Sequence, residues 1–150
     1  MPIGYTPRPH GLADQAYRWL SRVSSRFAAG ADCVATEQAK QGHLRAQRVA
    51  YASVEEVGRQ LRTGITEREA AQLLADDLRA RGTERFLHRP FAWFGEHSRF
   101  DGYRTYGDYH PSDRQLGAND IAILDVSPVV DGYIGDVGYA LSLSPHPELA

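Results

Sequence analysis

Apolar residues recur every three or four positions in the first half of the chain, at Ala46, Ala50, Val54, Val57 and Leu61. This pattern predicts a long helix over residues 37–61 with one buried stripe. Arg45, Arg48, Glu55, Glu56 and Arg59 lie between the stripe positions and form its solvated face. Arg62-Thr63-Gly64-Ile65 breaks the pattern, and Thr66 followed by Glu69 matches a capping box that starts a second helix. Ala70, Leu73, Leu74 and Leu78 supply its buried side, and Gly82 suits its C-terminal cap. Upstream, Ala16, Leu20, Val23 and Phe27 predict a short amphipathic helix over residues 11–28, ended by Gly30 and preceded by a proline-rich tail over residues 1–10. Residues 84–95 shift to aromatic and β character, with Phe86, Leu87, Phe91, Trp93 and Phe94, and predict a strand that Pro90 interrupts or bulges. A polar and aromatic stretch containing His97 and His110 then leads to NDIAILDVSPVVDGYIGDVGYALSL, residues 119–143.

That last stretch is apolar and β-branched on both sides of Asp131-Gly132, a pair that favours a type I′ turn. Two antiparallel strands are expected, over residues 121–130 and 133–143. With Asp131 and Gly132 as the loop, Val130 faces Tyr133, Ser127 faces Asp136 and Asp125 faces Gly138. Side chains alternate with period two, so Asp125 and Asp136 share one face as diagonal neighbours, Cα atoms roughly 7–8 Å apart. Two carboxylates among apolar neighbours repel each other and lose hydration. Three solutions stay open: one carboxylate takes a proton, hydrogen bonds compensate, or divalent metal ions are held between them. A register slip of one residue would separate the pair, and Pro128 argues for an edge or a bulge nearby.

Composition narrows the classes. A 42% hydrophobic share supports a packed core within 150 residues, one domain or part of one. A formal net charge of −2 gives no electrostatic case for nucleic acid or an acidic membrane. Cys33 is the single cysteine, so neither an intrachain disulfide nor a cysteine metal cluster forms. No signal-peptide pattern opens the chain, and no run approaches the ~20 apolar residues of a membrane span. The expectation is a soluble cytoplasmic protein.

Three segments in order carry a family resemblance. GITERE at residues 64–69 resembles a Gly-x-Thr-Glu-x-Glu helix start; His110-Pro111-Ser112-Asp113-Arg114-Gln115-Leu116 resembles a histidine, short polar loop and leucine; Asp120 through Asp136 resembles Gly-Asp-hydrophobic-Asp followed by Asp-Gly-Tyr-x-x-Asp. Together they are similar to the N-terminal half of the pita-bread metallopeptidases, the family of methionine aminopeptidase, aminopeptidase P, prolidase and creatinase. The implied fold is α+β, a helix pair packed on an antiparallel sheet, half of a pita-bread architecture over residues 35–150, with residues 1–34 as a tail and short helix. Carried over, Asp125 resembles the first metal-ligating aspartate and Asp136 the second, which bridges two ions. His110 resembles the upstream histidine that contacts substrate and moves protons near the scissile bond, and His97 is a weaker candidate for substrate binding. The implied cofactor is a pair of divalent ions, Mn, Co, Fe or Zn.

The implied activity is peptide hydrolysis of the amino- or Xaa-Pro type by a water activated at the dinuclear site, with a peptide as substrate and neither nucleic acid nor membrane as partner. The resemblance leaves a homodimer open. The family also uses a histidine and two glutamates from later strands. After Asp136 the chain offers only His146 and Glu148, read as connector, so the expectation is a truncated piece that is inactive alone and active in its full-length parent. The family's Thr/Ser-Arg-Thr type of segment is replaced by Val137-Gly138-Tyr139-Ala140, and Asn119 stands for a glycine. These departures keep a second reading, a non-catalytic pita-bread module that binds peptides or proteins.

Overall fold

The computed structural model of the chain describes residues 36–99 and 101–145. The tail and helix expected over residues 1–34, Cys33, His146 and Glu148 lie outside the described residues. Helix α1 spans Glu37–Gln60 and α2 spans Glu67–Ala80. Strands β1 Arg85–Phe86, β2 Phe91–Phe94, β3 Ile121–Val126, β4 Pro128–Val130, β5 Tyr133–Ile134 and β6 Val137–Ser142 follow, with short 3-10 turns at Gly95–Ser98 and Tyr106–Tyr109. The class is α+β, as the pattern predicts.

The helices form where local chemistry dictates. Thr36 caps α1 by accepting the Ala39 N–H. Thr66 and Glu69 close the expected capping box on α2, a contribution of about 0.5–2 kcal/mol. At the other end of α2 the Gly82 N–H donates to Arg79 and the Thr83 N–H to Leu78, closing the helix in a Schellman motif. Ala46, Ala50, Val54, Val57 and Leu61 are all buried, with Ala70, Leu74 and Leu78 opposite. Leu73 is only half-buried, packed against the core from its margin, and Ala75 is buried as well.

The strands are shorter and more divided than expected. Two antiparallel sheets form, β1-β4-β5 and β2-β3-β6. Pro90 divides the strand expected over residues 84–95 into β1 and β2, one in each sheet. The hairpin is likewise divided at Ser127-Pro128 and again at Gly135-Asp136, so its base lies in one sheet and its tip in the other. Pro128 cannot donate to a ladder, which suits a break between sheets. The predicted register holds in both paired segments: Asp125 pairs with Gly138, Val126 with Val137 and Val130 with Tyr133. Asp131 at φ 51° and Gly132 at φ 81° give the two positive angles of the type I′ turn.

Ala122, Leu124 and Val126 are buried against the helices with Ala92, Phe94 and Val137. A buried side chain of Val or Leu size contributes about 1.5–3 kcal/mol. Alternation then sends Ile121, Ile123 and Asp125 to the opposite face of the sheet, away from the helices.

Candidate metal centre

Asp125 is the last residue of β3 on that opposite face, level with Phe91 of β2 and Gly138 of β6. A Cβ added at Gly138 would meet nothing within 4 Å, so the space over Asp125 is open on that side. Asp136 lies in the break between β5 and β6, and α1 sets its position. The Gln47 side-chain amide donates to the Asp136 carbonyl at 2.8 Å and accepts the Asp136 N–H at 3.0 Å. The preceding residue rests on the helix backbone itself: a Cβ at Gly135 would fall on the Ala46 carbonyl, so only glycine permits this approach. Thus the helix stripe and the hairpin turn together aim Asp136 at Asp125.

A third group converges on the pair. The His88 Nε2 atom is 3.8 Å from an Asp125 carboxylate oxygen and 3.8 Å from one of Asp136. One ligand-type atom from each of the three residues lies within 4.8 Å of the others. Asp125 is half-buried, whereas the Asp136 side chain is 68% exposed. The expectation of two buried carboxylates is therefore corrected for Asp136, because the strand opens at Gly135 and leaves it at a rim. Burial pushes the Asp125 carboxyl above the usual carboxylate range; His88 opposes the shift and the negative charge of Asp136 adds to it.

His88 carries no periodic or motif signal. It sits in the proline connector between β1 and β2, and only long-range packing brings it to the aspartates. The donor set of one imidazole nitrogen and two carboxylates suits first-row divalent ions.

His110 follows the second 3-10 turn. The Tyr109 carbonyl just before it accepts from the Trp93 indole N–H at 2.7 Å. Two residues after it, Ser112 donates to Glu67 through its N–H at 2.8 Å and its hydroxyl at 2.6 Å. The His110 ring packs parallel to Phe91 at 6.4 Å and edge-on to Tyr106 at 5.2 Å. Its Nε2 atom is buried and has no hydrogen-bond partner. A cleft of about 370 Å³ lies beside it, lined among others by Arg68, Phe86, Arg89 and Pro111, and neither aspartate lines it.

His97 is engaged at both nitrogens. Nδ1 is 2.8 Å from the carboxylate of Glu67, and Nε2 is 3.0 Å from the Asp108 carbonyl. The structure thus brings together Asp125, Asp136 and the unanticipated His88, and sets His97 against Glu67 instead.

Among solved structures, an X-Pro aminopeptidase from Thermotoga maritima matches with a TM-score of 0.64 at 21% identity, over 76% of this chain and 31% of that one. A Xaa-Pro dipeptidase from Bacillus anthracis gives 0.64 at 20% identity, over 76% and 31%. Prolidase from Pyrococcus furiosus gives 0.62 at 18% identity, over 71% and 31%. At these identities the likeness shows the fold alone, and the chain spans about a third of each matched protein. No curated protein matches the sequence. The model of metallopeptidase family M24 matches residues 41–150, and the chain belongs to that family, with the pita-bread fold.

Proposed function

We propose that this chain carries the first part of a dinuclear metal centre in a peptidase that cleaves at a free N-terminus, with bonds next to proline as the favoured substrates. The observation that carries this reading is the convergence of the Asp125 and Asp136 carboxylates at one end of the β3–β6 ribbon. Membership of a metallopeptidase family supports it, and so does the likeness to an X-Pro aminopeptidase and a Xaa-Pro dipeptidase. Mn, Co, Fe and Zn all suit carboxylate and imidazole donors. When bound, such ions supply Lewis acidity toward a carbonyl and lower the pKa of water.

The protein's own residues have separable tasks. Asp125 and Asp136 hold the ions, and Gln47 and Gly135 hold Asp136. His110 presents an unpartnered nitrogen that can donate to, or accept from, a substrate amide. Leaving a buried polar atom unsatisfied costs about 1–3 kcal/mol, a cost that a bound peptide would relieve.

Assays of the full protein on aminoacyl and Xaa-Pro chromogenic peptides with several metals test the proposal. Asp136→Asn should abolish metal-dependent hydrolysis with the fold retained, and parental rates in that variant would end the ligand assignment. His110→Ala should lower kcat by about 10²-fold or more while metal content is unchanged. The apolar Val137-Gly138-Tyr139-Ala140 segment favours a second reading, a peptide-binding module. Tight peptide binding without turnover at any metal would select it.

A further inference from the structure

We propose that His88 is itself a metal ligand, a nitrogen donor that completes a three-residue grip on the ion shared by Asp125 and Asp136. The inference rests on the metal reading of those two aspartates and adds a residue that no motif in the chain marks. It begins with the ring's hydrogen bonds. His88 Nδ1 lies 2.8 Å from the Arg89 carbonyl oxygen. A carbonyl only accepts, so Nδ1 carries the proton and donates it. In the neutral ring this leaves the lone pair on Nε2, the atom that faces both carboxylates. A backbone carbonyl fixing one nitrogen while the other points at acidic oxygens is the usual bracing of a ligating histidine.

The spacing supports ligation. Nε2 is 3.8 Å from one oxygen of each aspartate, too long for a hydrogen bond. First-row ions take nitrogen and oxygen donors at about 2.0–2.2 Å, which sets donors in a tetrahedral site about 3.4 Å apart. The two nitrogen–oxygen separations therefore need only a small contraction. The ring is not free to swing away. It packs parallel to Phe91 at 5.3 Å, and Phe91 is the residue paired with Asp125 across the sheet. The Leu87 N–H donates to the Ser127 carbonyl at 2.9 Å, so the backbone just before His88 is tied to the strand junction two residues beyond Asp125.

A nitrogen donor changes which ion is held. Imidazole suits Zn, Co and Fe better than Mn, so His88 tilts this centre toward the former.

The test uses the full protein, stripped of metal and titrated with Co(II) alone or Mn(II) alone. Asp136→Asn should lose Co(II) binding; if it binds as the parent does, the underlying metal reading fails, whatever His88 does. H88Q should weaken Co(II) binding by about tenfold or more, a loss already typical of changes outside the ligand shell, and Mn(II) binding by less. The Co(II)-loaded parent should show one more exchangeable, hyperfine-shifted imidazole N–H resonance in its proton NMR spectrum than H88Q does. Selective 15N-histidine labelling of the parent reads the same resonance should H88Q fail to fold. Equal numbers of shifted resonances, or Co(II) affinity within twofold of the parent, would overturn the proposal. Weakened binding with the resonance count unchanged would also overturn it, since His88 would then act only through a carboxylate.

Discussion

The molecule holds two carboxylate–histidine groups and treats them in opposite ways. Glu67 is fully buried and accepts from the Phe94 N–H, the Ser112 N–H and hydroxyl, and His97. Asp125 and Asp136 stand 3.8 Å from His88, and among the described residues no hydrogen bond reaches either carboxylate. Carboxylate and imidazole thus make a closed hydrogen-bonded group in one place and an open triad in the other. A buried charge with all its lone pairs satisfied is a structural device, since it has nothing left to offer. Asp125 and Asp136 keep lone pairs that a ligand can use. The contrast separates scaffold from candidate chemistry without reference to any relative.

The largest effect should come from breaking the closed group. Glu67→Ala removes the acceptor of three neighbours and leaves His97 and the Ser112 N–H without it. Breaking a buried pair in this way costs about 3–5 kcal/mol, measured by urea unfolding. Because Ser112 and the Trp93-bound Tyr109 carbonyl flank His110, the loop that carries His110 should loosen as well. A loss below about 1 kcal/mol would remove the distinction between the two groups.

Next in size is Gly135→Ala. The added methyl collides with backbone of α1, which cannot move as a side chain tip could. Overpacking of this kind costs about 1–3 kcal/mol. The hairpin should yield first and carry Asp136 with it, so Co(II) affinity should fall together with stability. If stability falls while affinity stays at the parental value, Asp136 is not positioned through α1.

These two sites also show what the sequence could reveal. The turn at Asp131-Gly132, the capping box at Thr66 and the stripe from Ala46 to Leu61 are local. Each depends on residues within a few positions, so pattern and turn chemistry suffice to find them. The register from Asp125 to Gly138 follows from the turn by counting. Glu67, Gln47 and His88 are different. Their partners lie 30, 89 and 37 or more positions away, and such contacts leave no period in the chain. Glu67 reads as an ordinary first-turn acid of a helix, and only the packed fold shows that it is buried. Gly135 offered a trace, a glycine between two strand residues, which marks a close backbone approach without naming what approaches. Exposure of Asp136 was hidden for a related reason: alternation predicts which face a residue takes, and not where a strand opens.

The smallest effect concerns pH, and its sign follows from burial of Asp125. In the folded chain its carboxyl titrates above the usual range, chiefly because burial disfavours the charged form. Between the ordinary carboxylate pKa and that raised value the native state keeps a proton that the unfolded chain has lost. Stability of the metal-free protein therefore falls as pH rises through this window, and the deficit persists at neutral pH. Below the ordinary value both states are protonated and the difference vanishes. Asp125→Asn removes the titration, so in chelator it should melt higher than the parent at pH 7 and equally at low pH. A divalent ion should reverse the order at pH 7, because it binds the native parent and not the variant. Parallel melting curves for parent and variant across pH would mean that Asp125 is as well compensated as Glu67, and the open group would then be no different from the closed one.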